Sequence, residues 1–201
     1  MYKSREDNFE QLIDGILNKG YGICDNFIEL SFANELKNLL LKKFTEGSFK
    51  KASIGKGSNN QQNQEIRNDS ILWIDADSSD LPEKKILVLL DEFMNYLNRT
   101  CYTGLSNFEI HYACYPTGSF YKKHLDSFHL DTSRFYSFIL YLNEDWNDEN
   151  GGQLKIYPKD AEPIEILPLS CRAVCFPSQS LLHEVLPAKQ PRMSITGWLR
   201  K

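Results

Sequence analysis

No apolar run in this 201-residue chain reaches the roughly eighteen residues a membrane-crossing helix needs, and no signal-peptide pattern follows the charged start "MYKSREDNFE". A soluble cytoplasmic protein is the expectation. A basic footprint is missing too: 23 Lys and Arg stand against 27 Asp and Glu, a formal charge of −4. Non-specific nucleic-acid binding through clustered cations is therefore disfavoured. Cysteine gives no framework either, because Cys24, Cys101, Cys114, Cys171 and Cys175 are odd in number and scattered. Cys171 and Cys175 share an apolar, strand-like run without further thiolate partners, so reduced core cysteines are expected. "GKGS" lacks the full G-x-x-x-x-G-K-[ST] spacing of a phosphate loop. No internal repeat is visible.

What the chain does have is 41% hydrophobic and 12% aromatic residues, enough for one good core and a single domain over 1–201. Residues 1–104 read as mainly helical support. "NFEQLIDGILNKG" is helical and ends on Gly20, "YGICDNFI" holds a short strand, and "SFANELKNLLLKKF" is a helix with Ser31 as the candidate N-cap. "LPEKKILVLLDEFMNYLNRT" is the longest helix candidate, with Pro82 in its first turn. The polar stretch "SIGKGSNNQQNQEIRND" is too long for a turn and reads as a mobile loop or flap.

From about residue 105 the pattern changes to eight short strands: "FEIHYACY", "SFYKKHLD", "RFYSFILYLN", "GQLKIY", "IEILPL", "RAVCFP", "LLHEVLPA" and "MSITGWLR". Turn signals separate them. The expected fold is α+β: a double-stranded β-helix, or jelly-roll, core over 105–201 with the N-terminal helices packed outside one sheet.

Histidine is scarce, with four copies, yet "YKKHLDSFHLD" holds two His-x-Asp pairs, His124–Asp126 and His129–Asp131. On a strand, residues i and i+2 point the same way, so the first pair would aim a nitrogen and a carboxylate at one point. The second pair lies in a polar, turn-like stretch and is expected in a loop over the site mouth. His111 is expected to be a satisfied strand histidine. A third ligand must come from elsewhere, and His183 on a late strand can face an early His-x-Asp in a jelly roll. Two His and one carboxylate with open positions suit non-haem Fe(II), and zinc hydrolysis is chemically possible. Arg192, nine residues after His183, favours the former, since a fixed guanidinium suits a carboxylate co-substrate.

Several motifs in order, "ACYPTGSFYKKHLD", "LYLNEDW", "GGQLKIYP", "HEVLPA" and "RMSITGW", with "IRNDSILWID" upstream, resemble the Egl-nine-type prolyl hydroxylases of the 2-oxoglutarate- and Fe(II)-dependent dioxygenases, bacterial relatives included. The likeness runs from about Ile66 to the C-terminus. It implies that His124, Asp126 and His183 bind Fe(II). It also implies that Arg192, helped by Thr196, pairs with the distal carboxylate of 2-oxoglutarate. Tyr115 and Tyr141 would face the co-substrate, Leu154 and Trp198 would line its pocket, and Arg134 would stand near the entrance to touch substrate. The implied reaction uses O2 to convert 2-oxoglutarate to succinate and CO2 while hydroxylating a prolyl residue of a protein, of the peptidyl-prolyl 4-hydroxylase type. Ascorbate is a further candidate cofactor, and a monomer is expected. The stretch after Asp126 and the Tyr115-to-His124 spacing depart from the animal enzymes, so iron and co-substrate binding are safer expectations than substrate identity.

Two other functions compete. A nucleobase-dealkylating oxygenase would carry a second Arg close behind the first, and here "RMSITGWLR" offers Arg200 alone. A non-catalytic jelly-roll binding module would not need the complete triad with Arg192.

Overall fold

Local chemistry sets each helix boundary in the computed structural model, which describes residues 4–52, 65–126 and 133–201. Helix α1 (Arg5–Lys19) opens with a capping box: the Asp7 amide donates to Ser4 Oγ at 3.1 Å, and the Ser4 amide to Asp7 Oδ2 at 2.7 Å. It stops at Gly20, whose φ of 80° is the left-handed cap the sequence predicts. Strand β1 (Gly22–Cys24) follows, then α2 (Leu30–Thr45). Ser31 does not cap α2. The Ala33 amide already donates to the Glu29 carbonyl at 3.0 Å, so Glu29 is the N-cap and Ser31 sits inside the first turn. Strands β2 (Lys50–Lys51) and β3 (Ser70–Trp73) precede α3 (Leu81–Cys101), which carries Pro82 in its first turn, where a missing N–H costs nothing.

All eight strands expected in the second half are present: β4 (Asn107–Tyr115), β5 (Tyr121–His124), β6 (Arg134–Tyr141), β7 (Leu154–Tyr157), β8 (Ile164–Ile166), β9 (Ala173–Pro177), β10 (Leu182–Val185) and β11 (Arg192–Arg200). They form two antiparallel sheets, of order β1-β9-β6-β11-β4-β3-β2 and β5-β10-β7-β8. Apart from the β7–β8 hairpin, successive strands from β4 onward alternate between the sheets, which is the jelly-roll winding. Three strands from the first half, β1, β2 and β3, extend the larger sheet, so that half supplies more than helices.

Period-2 alternation sorts the large sheet into two faces. Ile110, Tyr112 and Cys114 of β4, Phe138 and Leu140 of β6, and Ile195 and Leu199 of β11 join the core shared with Phe9, Leu12, Leu36, Leu90 and Phe93 of the helices. Ala113, Tyr115, Ile139, Tyr141, Val174 and Phe176 face the small sheet instead, against Leu154, Ile156 and Val185. Helix α1 lies unusually close to β1, because a Cβ on Gly22 would stand 2.1 Å from the Leu12 carbonyl oxygen. Glycine is the residue that permits this crossing.

Candidate active site

On the inner face of this sandwich, β10 pairs with β5 so that His183 stands directly opposite His124, with ring centroids 4.2 Å apart. The jelly-roll winding has brought the late histidine to the early one. Asp126 does not share a strand with His124. β5 ends at His124, and Asp126 lies in the bend beyond, so its aim comes from hydrogen bonding rather than strand alternation. Ser137 Oγ donates to Asp126 Oδ2 at 2.6 Å and lies 2.9 Å from Ser178 Oγ. Asp126 Oδ1 is 3.5 Å from His124 Nε2, and Oδ2 is 3.5 Å from His183 Nε2. The three ligand atoms lie within 4.8 Å of one another, and among the described residues no other trio of His, Cys, Asp or Glu is so placed.

Both imidazoles are oriented by the carbonyl two residues upstream. His124 Nδ1 lies 2.7 Å from the Lys122 oxygen, and His183 Nδ1 lies 3.0 Å from that of Leu181. A carbonyl can only accept, so each Nδ1 carries the hydrogen and each Nε2 presents its lone pair to the centre. Burial pushes His183 down to about 4, although Asp126 pulls the other way. Burial alone would raise Asp126, but the two histidines and the Ser137 hydroxyl outweigh it and hold the carboxyl well below the usual range. The donor set is thus an ionised carboxylate with a buried, neutral His183 and the Nε2 of His124. That set fits a divalent cation, and two imidazoles with one carboxylate and open positions suit Fe(II).

Arg192 opens β11 opposite Tyr115, and its start is pinned by Asn143, which accepts from the Met193 amide at 2.7 Å and donates to the Met193 carbonyl at 3.0 Å. The Arg192 side chain is 2% exposed. Its Nε donates to the Gly152 carbonyl at 2.8 Å, and its guanidinium lies 4.9 Å from the Tyr115 ring and 5.0 Å from the Tyr141 ring. Gly152 has φ of 68°, and a Cβ there would press on Arg192 Cδ at 3.1 Å. Among the described residues no carboxylate reaches ion-pair distance of Arg192, and the buried Tyr141 hydroxyl has no hydrogen-bond partner. An unpaired buried cation costs several kcal/mol, about 3–5, unless an anion joins it. The pocket is therefore chemically complete only with a carboxylate beside Arg192.

The other predicted positions fall around these two poles. Along β11, Arg192, Ser194, Thr196 and Trp198 alternate onto one face. Ala113, Ser194 and Thr196 leave a small-residue floor between Arg192 and the triad, with Thr196 Oγ1 3.2 Å from Ser194 Oγ. Leu154 is fully buried in the wall of the small sheet. Trp198 pairs in register with Ser137, so it stands at the triad end rather than the Arg192 end. Arg134 lies 3.4 Å over its ring, donates to the Asp126 carbonyl at 3.3 Å and bonds Glu109 at 3.0 Å. Arg200 is tied to Glu109 and Ser133 at the far end of β11.

Some expectations are corrected here. His111 is buried but not satisfied, since its Nδ1 has no partner and its ring sits edge-on to Trp73 at 4.9 Å. Burial, reinforced by Arg67, pushes it down to about 3. Cys171 precedes β9 in a turn with φ of 67° rather than lying on a strand. All five cysteines are free thiols, and Cys101 alone is not fully buried. His129, Asp131 and most of the polar stretch after Ala52 lie outside the described residues. Sequence reasoning missed Ser137, whose signal is a polar residue at an inward position of an apolar strand, and the Arg67–Asp69 pair beside β5.

Fold and site together define a mononuclear non-haem metal oxygenase that takes a carboxylate co-substrate. Residues 110–200 match the model of the 2OG-Fe(II) oxygenase superfamily. A prolyl-4-hydroxylase from Pseudomonas putida is 32% identical, with TM-score 0.87 over 96% of this chain and 98% of that one. A Trichoplax adhaerens prolyl hydroxylase, solved with a hypoxia inducible factor oxygen degradation domain peptide, is 29% identical, with TM-score 0.87 over 98% and 90%. A Phytophthora capsici prolyl 4-hydroxylase, 20% identical with TM-score 0.78, shares the fold. The chain belongs to the 2OG-Fe(II) oxygenase superfamily, enzymes that use Fe(II), 2-oxoglutarate and O2.

Proposed function

We propose that this chain is one catalytic domain, spanning 1–201, that hydroxylates a prolyl residue presented by a protein, releasing succinate and CO2. The observation that carries the reading is the buried, unpaired Arg192 on the inner face of the large sheet, across the sandwich from the small-sheet strands that carry His124 and His183 of the triad. His124, Asp126 and His183 would hold Fe(II). Arg192 and the Tyr141 hydroxyl would hold the distal carboxylate of 2-oxoglutarate, with Thr196 beside them and Tyr115 and Leu154 as walls. When bound, iron would activate O2, the oxidant, with 2-oxoglutarate giving up two electrons as it becomes succinate and CO2 and the prolyl C–H bond giving up the other two, and the protein orients and shields that chemistry. The residues of this chain do the holding. Ser137 and the two upstream carbonyls aim the ligands, and Ile139, Ile156 and Val174 make the apolar wall between the sheets beside them, with Ile156 in register with His183.

A peptide substrate is supported by the Trichoplax neighbour, whose structure holds one. Arg134, beside Asp126 and over Trp198, is the side chain we assign to substrate contact. No described helix is long and apolar enough to cross a membrane, and we take the site of action to be cytoplasmic, with ascorbate as a reductant that keeps the iron ferrous. The test is succinate production against candidate proline-containing proteins, with mass spectrometry for one added oxygen on a proline. Activity that survives His183→Ala, or succinate without an oxygenated proline in any protein, overturns the reading.

A further inference from the structure

The iron ligand His124 is braced on a side the ligand set does not explain. Tyr121 opens β5 and stacks on the His124 ring, with centroids 3.5 Å apart and planes 16° from parallel. The Arg67 guanidinium lies 4.3 Å from the centroid of the same tyrosine ring. Two groups this close to one centroid cannot share a face, so Tyr121 is sandwiched between cation and imidazole. Arg67 is itself held rigidly. Its Nε and Nη2 donate to Asp69 Oδ1 and Oδ2 at 2.8 and 2.7 Å, a two-point grip on a carboxylate that is 0% exposed.

The backbone around Arg67 is fixed to the same strand. The Lys122 amide donates to the Ile66 carbonyl at 2.8 Å, the Phe120 amide donates to Asn68 Oδ1 at 2.8 Å, and Arg67 bridges to Tyr121 in between. A segment beside the β5 edge thus places one planar cation over one ring. We propose that Arg67 is a positioning residue for the metal centre, acting through Tyr121: the Asp69–Arg67–Tyr121–His124 column sets the plane of the His124 ring. The Lys122 carbonyl fixes that ring at one edge, and an edge contact leaves rotation about the Nδ1 hydrogen-bond axis open. Stacking on Tyr121 removes that rotation and keeps Nε2 directed at Asp126 and His183.

The inference rests on the iron site proposed above, and metal binding separates the two. Metal-free protein is titrated with Co(II) under nitrogen, following affinity and the visible ligand-field spectrum. Variants are Tyr121→Leu, Tyr121→Phe, Arg67→Lys and the charge-neutral pair Arg67→Met with Asp69→Asn. Tyr121→Leu and the neutral pair are expected to bind about tenfold or more weakly, as outer supports of metal ligands do, with an altered spectrum. Tyr121→Phe keeps the stack and is expected to match the wild type, and Arg67→Lys, which restores a cation, is expected to fall between. Should the neutral pair fail to fold, Arg67→Lys decides the role of Arg67 and Tyr121→Leu that of the ring. Wild-type affinity and spectrum in the folded neutral pair, in Arg67→Lys where the pair does not fold, or in Tyr121→Leu overturn the proposal, as do equal losses in Tyr121→Phe and Tyr121→Leu. A wild type that binds no Co(II) overturns the iron site itself.

Discussion

Replacing Arg192 with methionine tests the co-substrate pole of the site and separates binding from stability. Arg192 is buried, and among the described residues its side chain donates one hydrogen bond, to the Gly152 carbonyl, and meets no carboxylate. Methionine fills similar space without a charge, so the ligand-free variant is expected within about 1 kcal/mol of the wild type or above it, the lost hydrogen bond being offset by the removed desolvation. With 2-oxoglutarate the balance reverses. Losing one member of a buried ion pair costs about 3–5 kcal/mol, which is roughly 150-fold to several thousandfold in affinity.

A thermal-shift titration with Mn(II) under nitrogen reads both terms. At a 2-oxoglutarate concentration about one hundred times its Kd the wild type gains about 2.7 kcal/mol, or roughly 5–11 °C for a protein of this size. At the same concentration the variant is expected to gain no more than about 1 °C. A 2-oxo acid lacking the distal carboxylate should shift both proteins equally, because it has nothing to offer Arg192. An undiminished 2-oxoglutarate shift in Arg192→Met would refute the reasoning. So would a ligand-free variant several kcal/mol less stable than the wild type, about 3 or more, which would make Arg192 a structural residue.

Three further outcomes follow from the geometry. Ser137→Ala removes the donor to Asp126 Oδ2 and is expected to weaken metal binding about 10–100-fold in an anaerobic titration, while Ser178→Ala, one step removed, costs less. Gly22→Ala puts a Cβ 2.1 Å from the Leu12 carbonyl, so α1 must lift from β1; denaturant unfolding should show a loss of about 1–3 kcal/mol or more. Burial, helped by Arg67, holds His111 at about 3 against an ordinary imidazole value of about 6.5, so between these pH values the unfolded chain binds a proton the native state does not. Native stability therefore falls as pH drops through 6.5, and metal-free His111→Gln should show a slope shallower by about 0.7 kcal/mol per pH unit at pH 6.5, rising to about 1.3 between pH 5.5 and 4.5. Equal slopes would mean that His111 is protonated in the folded protein.

Strands were the legible part of this sequence, because alternation and turn residues are local signals. "FEIHYACY" already separates Ile110, Tyr112 and Cys114 from His111, Ala113 and Tyr115, and the two cores divide them the same way. His183 and Arg192 could be placed near the early His-x-Asp because jelly-roll winding is a rule of the fold rather than of the residues. What local pattern could not supply was aim. Asp126 lies past the end of β5, and its direction depends on Ser137, eleven residues on in another sheet. Arg67 reads as one charge in a polar stretch until Asp69 and Tyr121 are seen around it. Ser31 fits a capping preference, yet the chain enters α2 at Glu29, since packing of Ala33 and Leu36 fixes where the helix sits.

The unpaired polar atoms separate what holds the fold from what the fold is for. Six buried side-chain atoms among the described residues have no hydrogen-bond partner, and three of them, His111 Nδ1, Tyr141 Oη and Trp198 Nε1, belong to the inner face of the large sheet. Arg192 adds a buried cation to that face. Each such group weakens the ligand-free protein, and a sandwich built for stability alone would fill the face with Val and Ile as the helix side is filled with Leu and Phe. The helix-side core offsets that cost. A ligand bringing a carboxylate to Arg192 and Tyr141 recovers part of it on binding, so affinity at this site draws on the pairing those buried groups otherwise lack. Substitutions on the helix-facing side should therefore change melting without changing co-substrate selectivity, whereas substitutions on the inner face should change both.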